Sequence, residues 1–578
     1  MRTRRSFLGS VAAAAALPLG MAGRRAFAQS AGRPRLHAMI VGMNVYTGHV
    51  GLDDPRAHRC VPHPVPQLRG CINDARDIEA AVRPLAASTR ILLDREVNRA
   101  SFVRAWNGMV ADAAPGDTLL LTYSGHGGQE PEHVKGSEQT GLDDTLILSP
   151  FDSCVPGLDE ERIIDDEIAG LLASVRGRNK VIFVADACHS GTMTRSAVDA
   201  RVDDTITYRT VHKYDYAATL PSAVTIASIP GNDDQPHVLY LSACQDNELV
   251  PELRINGRHH GALSVAFAQA LAGRADTNQD GVITGAELNT YVLRTVRAFS
   301  DSNQHPEVRW PHADVVYGAA FKREDPVFFL GASSVPETPS VAAGSNALVR
   351  LRILGIDTAA AAAIARSLKR ASIVGSDDPA DVVWDSEQRR VLNQLGSMVA
   401  SDVAAADLQP VIDGMIALNA VRQMVANSGV DMRLLLPDES IAEAPSRASD
   451  RVHPERTRLT LVATGLRYPY FVLFNIAGNG TVQMLYPCHG QAGSCKAQRD
   501  APTVPAGKAY SLQLEAARPF GADHVIAVSA ARPPSDLIAA LEGADGQKDP
   551  ITAVEALTRL AKTSDVLIGM QGVFTTGK

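Results

Sequence analysis

The distribution of apolar residues predicts strands that alternate with helices over the first half of the chain. Short apolar runs bounded by polar residues occur at 36–46, 117–124, 180–186 and 238–243, and such runs are typical of strands buried on both faces. Segments with helical spacing lie between them. This alternation predicts an α/β domain over about residues 35–325, with a mostly parallel sheet and helices on both faces.

The pattern changes after residue 330. Residues 331–346 are rich in Pro, Ser, Ala and Gly and are predicted to form an interdomain linker. Residues 347–445 mix strand and helix patterns and are predicted to form a small α/β region. From 455 to 578 successive strands dominate, with a hairpin turn at Gly478-Asn479-Gly480, so a β-rich domain is predicted there.

Length and charge limit the classes of function. A chain of 578 residues has room for about three or four domains. Its apolar content of 45% and charged content of 21% are ordinary for globular proteins, and the formal net charge is −8. This balance predicts neither a nucleic-acid partner nor a membrane-surface partner.

The N-terminus resembles a twin-arginine export signal. Arg4-Arg5-Ser-Phe-Leu precedes an apolar run, and Ala26-Phe-Ala28 fits a cleavage site, so residues 1–28 are predicted to be removed. The run is too short to span a bilayer, and no later segment is long and uncharged enough to do so. We expect a periplasmic or secreted bacterial protein without a stable membrane anchor; retention of the N-terminus as an anchor is the alternative.

Seven cysteines gain importance in an oxidising compartment. If one stays a free thiol, six remain and allow 15 pairings. Cys488 and Cys495 bound a short self-contained loop that a disulfide could close, and Cys60 with Cys71 is a second candidate pair. Cys154 and Cys244 are expected to be small buried apolar side chains.

A histidine and a cysteine follow two of the predicted strands. His126 lies in Ser-Gly-His-Gly-Gly after the strand at 117–124, and Cys188 lies in Asp-Ala-Cys-His-Ser-Gly after the strand at 180–186. If the strands are parallel neighbours, both side chains emerge at the carboxyl edge of the sheet, where open α/β folds place their chemistry. Such a pair is a candidate nucleophile and proton carrier.

Residues 276–287 fit the twelve-residue calcium-loop pattern. Oxygen ligands at alternate positions wrap a hard cation, while Gly281 permits the sharp bend. The expected ligands are Asp276, Asn278, Asp280, Val282, Thr284 and Glu287. The alternative is a helix-to-helix turn in which these side chains only cap the backbone.

At the histidine and cysteine motifs the sequence resembles the caspase-like cysteine peptidases, in particular the metacaspases and their bacterial relatives. The motifs are Tyr123-Ser-Gly-His-Gly-Gly-Gln129 and Asp186-Ala-Cys-His-Ser-Gly191, and the acidic segments between them, including Gly141-Leu-Asp-Asp144, also match. The resemblance covers about residues 35–320. The C-terminal strands look like an uncharacterised accessory domain often found after bacterial caspase-like domains. The sequence after the linker has no catalytic constellation, so a binding or positioning module with an unknown partner is expected there.

The resemblance implies a peptidase that needs no organic cofactor. Cys188 would attack the peptide carbonyl, His126 would move the proton, and the N–H groups of Gly127 and Cys188 would bind the oxyanion. Asp74 and Asp186 match the family's acidic pocket, which implies protein or peptide substrates cleaved after Arg or Lys. The alternatives are that Asn73 or Asp74 caps the following helix and that Asp186 binds the turn after its strand.

The family also implies a calcium site formed by Asp143, Asp165 and Asp166. Here Arg195 departs from the pattern, since calcium-dependent members carry an acidic residue at that position. Asp165 can instead cap the helix that follows it. The basic residues within 192–236 would suit the self-cleavage that many relatives use for activation; the alternative is a solvated loop. They are Arg195, Arg201, Arg209 and Lys213.

Other histidines lack ligand spacing, and surface or core packing is expected for His58, His63, His189, His259 and His260. The competing hypothesis for the whole chain is a non-catalytic, calcium-responsive binding or scaffold protein on the same fold. Loss of His126 or Cys188 would favour that hypothesis, and both residues are present.

Overall fold

The structure of the protein is a computed structural model. It describes these residues: 33–51, 62–133, 141–188, 206–211, 235–245, 248–301, 304–310, 321–330, 348–375, 378–425, 429–439, 451–488 and 503–577. The predicted export signal (1–28) and the predicted linker (331–346) lie outside this range. No helix in the described part of the chain has the length and apolar character that crossing a bilayer requires.

The N-terminal unit contains fifteen described strands and five described α-helices. The strands are β1 (Leu36–Gly42), β2 (His49–Val50), β3 (His63–Pro64), β4 (Ala86–Leu93), β5 (Thr118–Ser124), β6 (Gly127–Pro131), β7 (Leu142–Ile147), β8 (Arg162–Ile164), β9 (Lys180–Asp186), β10 (Val238–Ser242), β11 (Leu253–Ile255), β12 (Arg258–His260), β13 (Val282–Thr284), β14 (Glu307–Arg309) and β15 (Pro326–Phe329). The helices are α1 (Cys71–Val82), α2 (Arg99–Asp112), α3 (Asp165–Ala173), α4 (Ala262–Gln269) and α5 (Gly285–Phe299).

A six-stranded sheet organises this unit, in the order β14-β10-β9-β5-β1-β4. Only the edge strand β14 is antiparallel to its neighbour. Two separate apolar cores cover the faces of the sheet, one containing Ile40, Leu120 and Val184 and the other containing Val41 and Leu121. The predicted mostly parallel α/β sheet is therefore confirmed, and β15 extends the unit to Leu330 by pairing with β13.

The rest of the chain forms further sheets with helices packed against them. Its strands are β16 (Val349–Leu354), β17 (Ala371–Ile373), β18 (Val382–Asp385), β19 (Arg390–Asn393), β20 (Met398–Ala400), β21 (Asp431–Leu435), β22 (Val452–Pro454), β23 (Arg458–Thr464), β24 (Tyr470–Ile476), β25 (Val482–Tyr486), β26 (Tyr510–Glu515), β27 (Ala522–Ala530) and β28 (Val566–Thr576). Its helices are α6 (Thr358–Ser367), α7 (Leu408–Val425), α8 (Ser535–Ala544) and α9 (Pro550–Thr563).

Two regions predicted as separate are joined in the structure. Helix α7 gives Val411 and Ile412 to the core under β16–β20, and gives Ala417 and Val421 to the core of the C-terminal sheet. Strand β21 pairs with β23, across the predicted boundary near 445. The C-terminal region also contains α8 and α9, whereas its sequence pattern predicted mainly strands.

Two predicted helix caps are wrong. Helix α1 begins at Cys71 with Gly70 as its N-cap, so Asp74 lies inside the first turn and is buried. Helix α3 has Ile164 at its N-cap, which makes Asp165 the first helical residue. Both carboxylates are therefore available for other contacts.

Candidate active site

His126 and Cys188 lie at the same edge of the central sheet. Strands β5 and β9 are parallel neighbours, and Ser124 is in register with Asp186. His126 and Cys188 each follow that registered pair by two residues. The motif strands are thus adjacent, as predicted, and their carboxyl ends bring the two side-chain types to one place.

The environment of His126 fixes which ring nitrogen carries its proton. Nε2 lies 2.7 Å from the carbonyl oxygen of Pro66, so Nε2–H donates to that oxygen. Among the described residues Nδ1 has no hydrogen-bond partner. Burial lowers the pKa of His126 to about 4, despite the bond to Pro66. The imidazole is therefore neutral at pH 7, with a lone pair on Nδ1 that can accept a proton.

Cys188 is also held in its neutral form. Its Sγ accepts a hydrogen bond from the backbone N–H of Val250 at 2.9 Å. Burial nevertheless raises the pKa of this thiol to about 12. The resting pair is a thiol and a neutral imidazole, so formation of the thiolate requires His126 to take the proton.

Residues 206–211 lie beside this pair and form two isolated β-bridges, Tyr208 with Pro251 and Thr210 with Gly127. The N–H of Arg209 donates to Val250 O at 2.8 Å, and the N–H of Glu252 donates to Thr207 O at 2.8 Å. On the other side of Arg209, the N–H of Val211 donates to Gly127 O at 3.0 Å. The segment is therefore paired with backbone on both sides, as an extended peptide bound in a cleft would be.

The carbonyl oxygen of Arg209 accepts two backbone hydrogen bonds. They come from the N–H of Gly127 at 3.0 Å and from the N–H of Cys188 at 3.1 Å. These are the two donors that the family resemblance implies for an oxyanion, and their distances lie in the range typical of oxyanion-hole hydrogen bonds. Position 127 must be glycine here, because a Cβ would lie 1.8 Å from the carbonyl oxygen of Cys188.

The guanidinium of Arg209 lies in a fully buried acidic pocket. Nη2 is 2.5 Å from Asp74 Oδ2 and 3.5 Å from Glu252 Oε1, and Nη1 is 3.1 Å from Asp186 Oδ1. Burial opposes the charge of Arg209, but the surrounding carboxylates hold its pKa above the ordinary value. Burial also raises the pKa of Asp186 and Glu252. The structure thus brings together Asp74 and Asp186, the two predicted pocket residues, around a basic side chain.

Several residues that hold this pocket escaped prediction. His260 Nδ1 lies 2.9 Å from Asp74 Oδ1, and both N–H and Oγ–H of Ser264 donate to Asp186 Oδ2. Glu252 accepts from the N–H groups of Arg69 and Gly70 at 2.7 Å each. His260 carries no ligand spacing and Glu252 no motif, so only tertiary structure reveals them.

Two cysteine predictions need correction. Cys154 takes part in a disulfide and is therefore not a lone buried thiol, and Cys71 is a buried thiol, which excludes its pairing with Cys60. Cys244 is a buried thiol as predicted. Cys488 is disulfide-bonded, while its predicted partner Cys495 lies outside the described residues.

Carboxylates of the predicted calcium loop accept hydrogen bonds from backbone N–H groups of the same loop. Asp276 accepts from the N–H groups of Asp280 and Gly281, and Glu287 accepts from those of Thr277 and Thr284. Within the described residues no group of three His, Cys, Asp or Glu side chains converges as metal ligands. Calcium binding at 276–287 stays a prediction.

The family-type acidic cluster is buried. Asp143 Oδ2 accepts from the N–H of His133 at 3.0 Å, and Asp166 is almost wholly buried. Burial, with Asp144 and Asp143 nearby, raises the pKa of Asp165 to about 8. Carboxylates are therefore concentrated here, and Arg195 lies outside the described residues.

Comparisons with known proteins point to one family. Residues 37–197 match the family model described as metacaspase, peptidase C14 domain. The chain is 28% identical over 286 residues to Metacaspase-1 of Saccharomyces cerevisiae strain YJM789, covering 42% of this chain and 60% of the relative. It is 33% identical over 177 residues to Metacaspase-1B of Aspergillus fumigatus, covering 29% and 38%.

The chain thus spans 60% of the length of the yeast relative and less of the Aspergillus one. A crystal structure of protein GSU0716 from Geobacter sulfurreducens is similar at a TM-score of 0.33 and 22% identity, over 52% of this chain and 100% of that one. The family match covers both motif residues, His126 and Cys188. Residues 37–197 thus resemble a metacaspase-type peptidase C14 domain.

Proposed function

We propose that this protein is a cysteine endopeptidase that cleaves after arginine or lysine, with a Cys188–His126 dyad. One observation carries the proposal: Arg209 presents its carbonyl to two N–H groups and its guanidinium to two aspartates. A substrate residue before the cleaved bond needs these same contacts. Carboxylates in a dry recess favour a cation and disfavour an anionic residue.

The side chains support a complete reaction. Nδ1 of His126 takes the thiol proton as Sγ of Cys188 attacks the carbonyl carbon, and the negative oxygen is held by the N–H groups of Gly127 and Cys188. His126 then gives the proton to the leaving amine, which breaks the peptide bond and leaves a thioester. Water, deprotonated by His126, hydrolyses the thioester and restores the thiol. The carbonyl of Pro66 keeps the imidazole in the tautomer that these steps need.

We also propose that the Arg209–Thr210 bond is the site of self-processing. Four basic residues in 192–236 suited self-cleavage by sequence, and Arg209 is the one that lies in the acidic pocket among the described residues. While uncut, residues 206–211 would occupy the cleft and exclude other substrates. Cleavage would release the pocket.

The peptidase proposal is tested by hydrolysis of fluorogenic peptides ending in Arg, Lys or Asp by the full-length protein. Wild type should hydrolyse the Arg and Lys peptides, and Cys188→Ala should not. Absence of Cys188-dependent turnover, with and without calcium, would reject the peptidase and favour the scaffold hypothesis. Turnover of the Asp peptide would reject the acidic-pocket assignment alone.

Calcium stimulation is proposed on separate grounds. The spacing of 276–287 and the buried carboxylates at Asp143, Asp165 and Asp166 supply oxygen ligands of the kind that calcium takes. Calorimetric titration with calcium should show a heat of binding for wild type. That heat should be lost in one of the two variants, Glu287→Gln or Asp165→Asn. Unchanged calcium binding in both variants would reject both proposed sites. Absence of calcium binding to wild type would reject the proposal of calcium stimulation.

Export is proposed from the twin-arginine pattern at residues 1–28. Expression in a bacterium with an active twin-arginine pathway should give a periplasmic protein that begins near Gln29. Replacement of Arg4 and Arg5 by Lys should keep the precursor in the cytoplasm. N-terminal sequencing of a protein that begins at Met1 in the periplasm would instead show a retained anchor.

A further inference from the structure

The segment in the cleft defines where more distant substrate residues would lie. Tyr208 is paired antiparallel with Pro251, and the N–H of Glu252 donates to Thr207 O at 2.8 Å. Counting back from the Arg209–Thr210 bond, Thr207 is the third residue and Ile206 the fourth. A substrate that follows the same path places its third and fourth residues beside β11.

The space beside these two residues has walls from two units of the protein. Ile206, Thr207, Glu252, Arg254 and His259 bound it on the peptidase side. The opposite wall comes from the unit that follows residue 347, and consists of Pro379, Ala380, Val383 and Gln394. Most of this wall is apolar, and Gln394 supplies its amide.

The second wall is fixed to the peptidase unit by polar and apolar contacts. The N–H of Arg254 donates to Gln394 Oε1 at 2.9 Å, and Arg254 Nη1 lies 2.7 Å from Asp381 Oδ2. Leu395, in the turn between β19 and β20, is buried in the peptidase core beside Leu253. Arg254 follows Glu252 by two residues, so the wall is tied to the segment that contacts Arg209.

We propose that the unit formed by β16–β20 completes the substrate cleft and determines specificity at the third and fourth residues before the cleaved bond. The inference rests on the proposed peptidase function. An aliphatic side chain such as Ile or Val at the fourth position fits the wall of Pro379, Ala380 and Val383.

The test compares two fluorogenic substrates on the full-length enzyme: acyl-Ile-Thr-Tyr-Arg and acyl-Tyr-Arg. Only the longer one reaches the wall. In Ala380→Asp, kcat/KM for the longer peptide should fall about tenfold or more, mainly through KM, while the shorter peptide is unaffected. Ala362→Asp, on an exposed position of α6, is the matched control and should leave both peptides unchanged. Thermal unfolding checks that both variants remain folded.

The outcomes separate this inference from the function on which it rests. Hydrolysis of neither peptide by wild type overturns the peptidase proposal and this inference with it. Hydrolysis of both peptides by wild type, with an equal effect of Ala380→Asp on each, overturns the specificity role alone.

Discussion

At the scale of single residues, the proposed specificity depends on the charge of the pocket. Three buried carboxylates, from Asp74, Asp186 and Glu252, face one guanidinium from Arg209. Truncation of one partner of a buried charge pair leaves the other uncompensated, which typically costs about 2–5 kcal/mol. The identity of the residue before the cleaved bond therefore depends on very few side chains.

Asp74→Asn should lower kcat/KM for Arg peptides by about 30-fold or more, as follows from that energy. The measurement is steady-state hydrolysis of an Arg peptide. Glu79→Gln, on the same helix but in a surface pair with Arg83, is the matched control and should change kcat/KM little. Equal effects of the two substitutions would contradict the pocket role of Asp74.

The raised pKa of Cys188 gives a pH dependence. Because burial raises this pKa to about 12, the thiolate fraction should be small at pH 7 and should grow as the pH rises. Alkylation of Cys188 by iodoacetamide, followed by peptide mass spectrometry, should therefore be slow at neutral pH and faster at pH 10. Protein cleaved after Arg209 should be alkylated faster at pH 7, because residues 206–211 would no longer cover Cys188. Rapid labelling of uncut protein at pH 7 would contradict a buried neutral thiol.

At the scale of secondary-structure elements, Glu252 joins α1 to β11. Its carboxylate accepts from two N–H groups at the start of α1, the helix that carries Asp74. Those bonds are shorter than its 3.5 Å contact with Arg209, so its main role is to position α1.

Glu252→Gln should therefore raise KM for Arg peptides several-fold with little change in kcat, since one acceptor oxygen remains. Glu252→Ala leaves buried N–H groups without an acceptor and should lower the free energy of unfolding by about 1–3 kcal/mol. Hydrolysis kinetics and denaturant unfolding measure these two effects. A loss of kcat with unchanged KM would instead place Glu252 in the chemical step.

The sequence predicts the sheet edge that holds His126 and Cys188, because the order of the strands and the local motifs indicate the same place. The apolar runs before His126 and Cys188 identify two buried strands, and parallel pairing then places their ends together. The placement of Arg209 was not predictable, since nothing local distinguishes it from Arg195, Arg201 or Lys213. Which of them reaches the pocket depends on pairing with Val250 and Gly127, which are distant in sequence. Asp74 shows the same limit. Its place in the sequence is compatible with a helix cap, and only the structure shows that it is buried inside the first turn of α1.

At the scale of the whole molecule, one carboxylate links the peptidase unit to the C-terminal regions. Asp301 follows α5 and contacts Arg422 of α7, while its Oδ1 lies 3.3 Å from His524 Nε2 of β27. Its Oδ2 accepts a hydrogen bond from Asn393 at 3.3 Å. Burial opposes ionisation, but Arg422 and His524 hold the pKa of Asp301 well below its usual range. The accessory regions therefore pack on the peptidase unit through a charged contact.

This depressed pKa predicts a loss of stability in acid. Asp301 stabilises the fold above its unfolded pKa of about 4, and that contribution is lost as the pH falls toward the lower folded value. Melting temperature measured from pH 7 to pH 3 should therefore fall more for wild type than for Asp301→Asn, which has no charge to lose. Parallel curves for the two proteins would contradict the linkage.

The central claim is that Arg209 lies in the cleft as the residue before a bond that Cys188 cleaves. Intact-mass analysis of the purified full-length protein, incubated with and without calcium, tests it most directly. The account predicts two fragments, one ending at Arg209 and the other beginning at Thr210, that are absent from Cys188→Ala and from Arg209→Gln. Wild-type protein that stays whole under both conditions, or that is cut at this bond equally in Cys188→Ala, would contradict it.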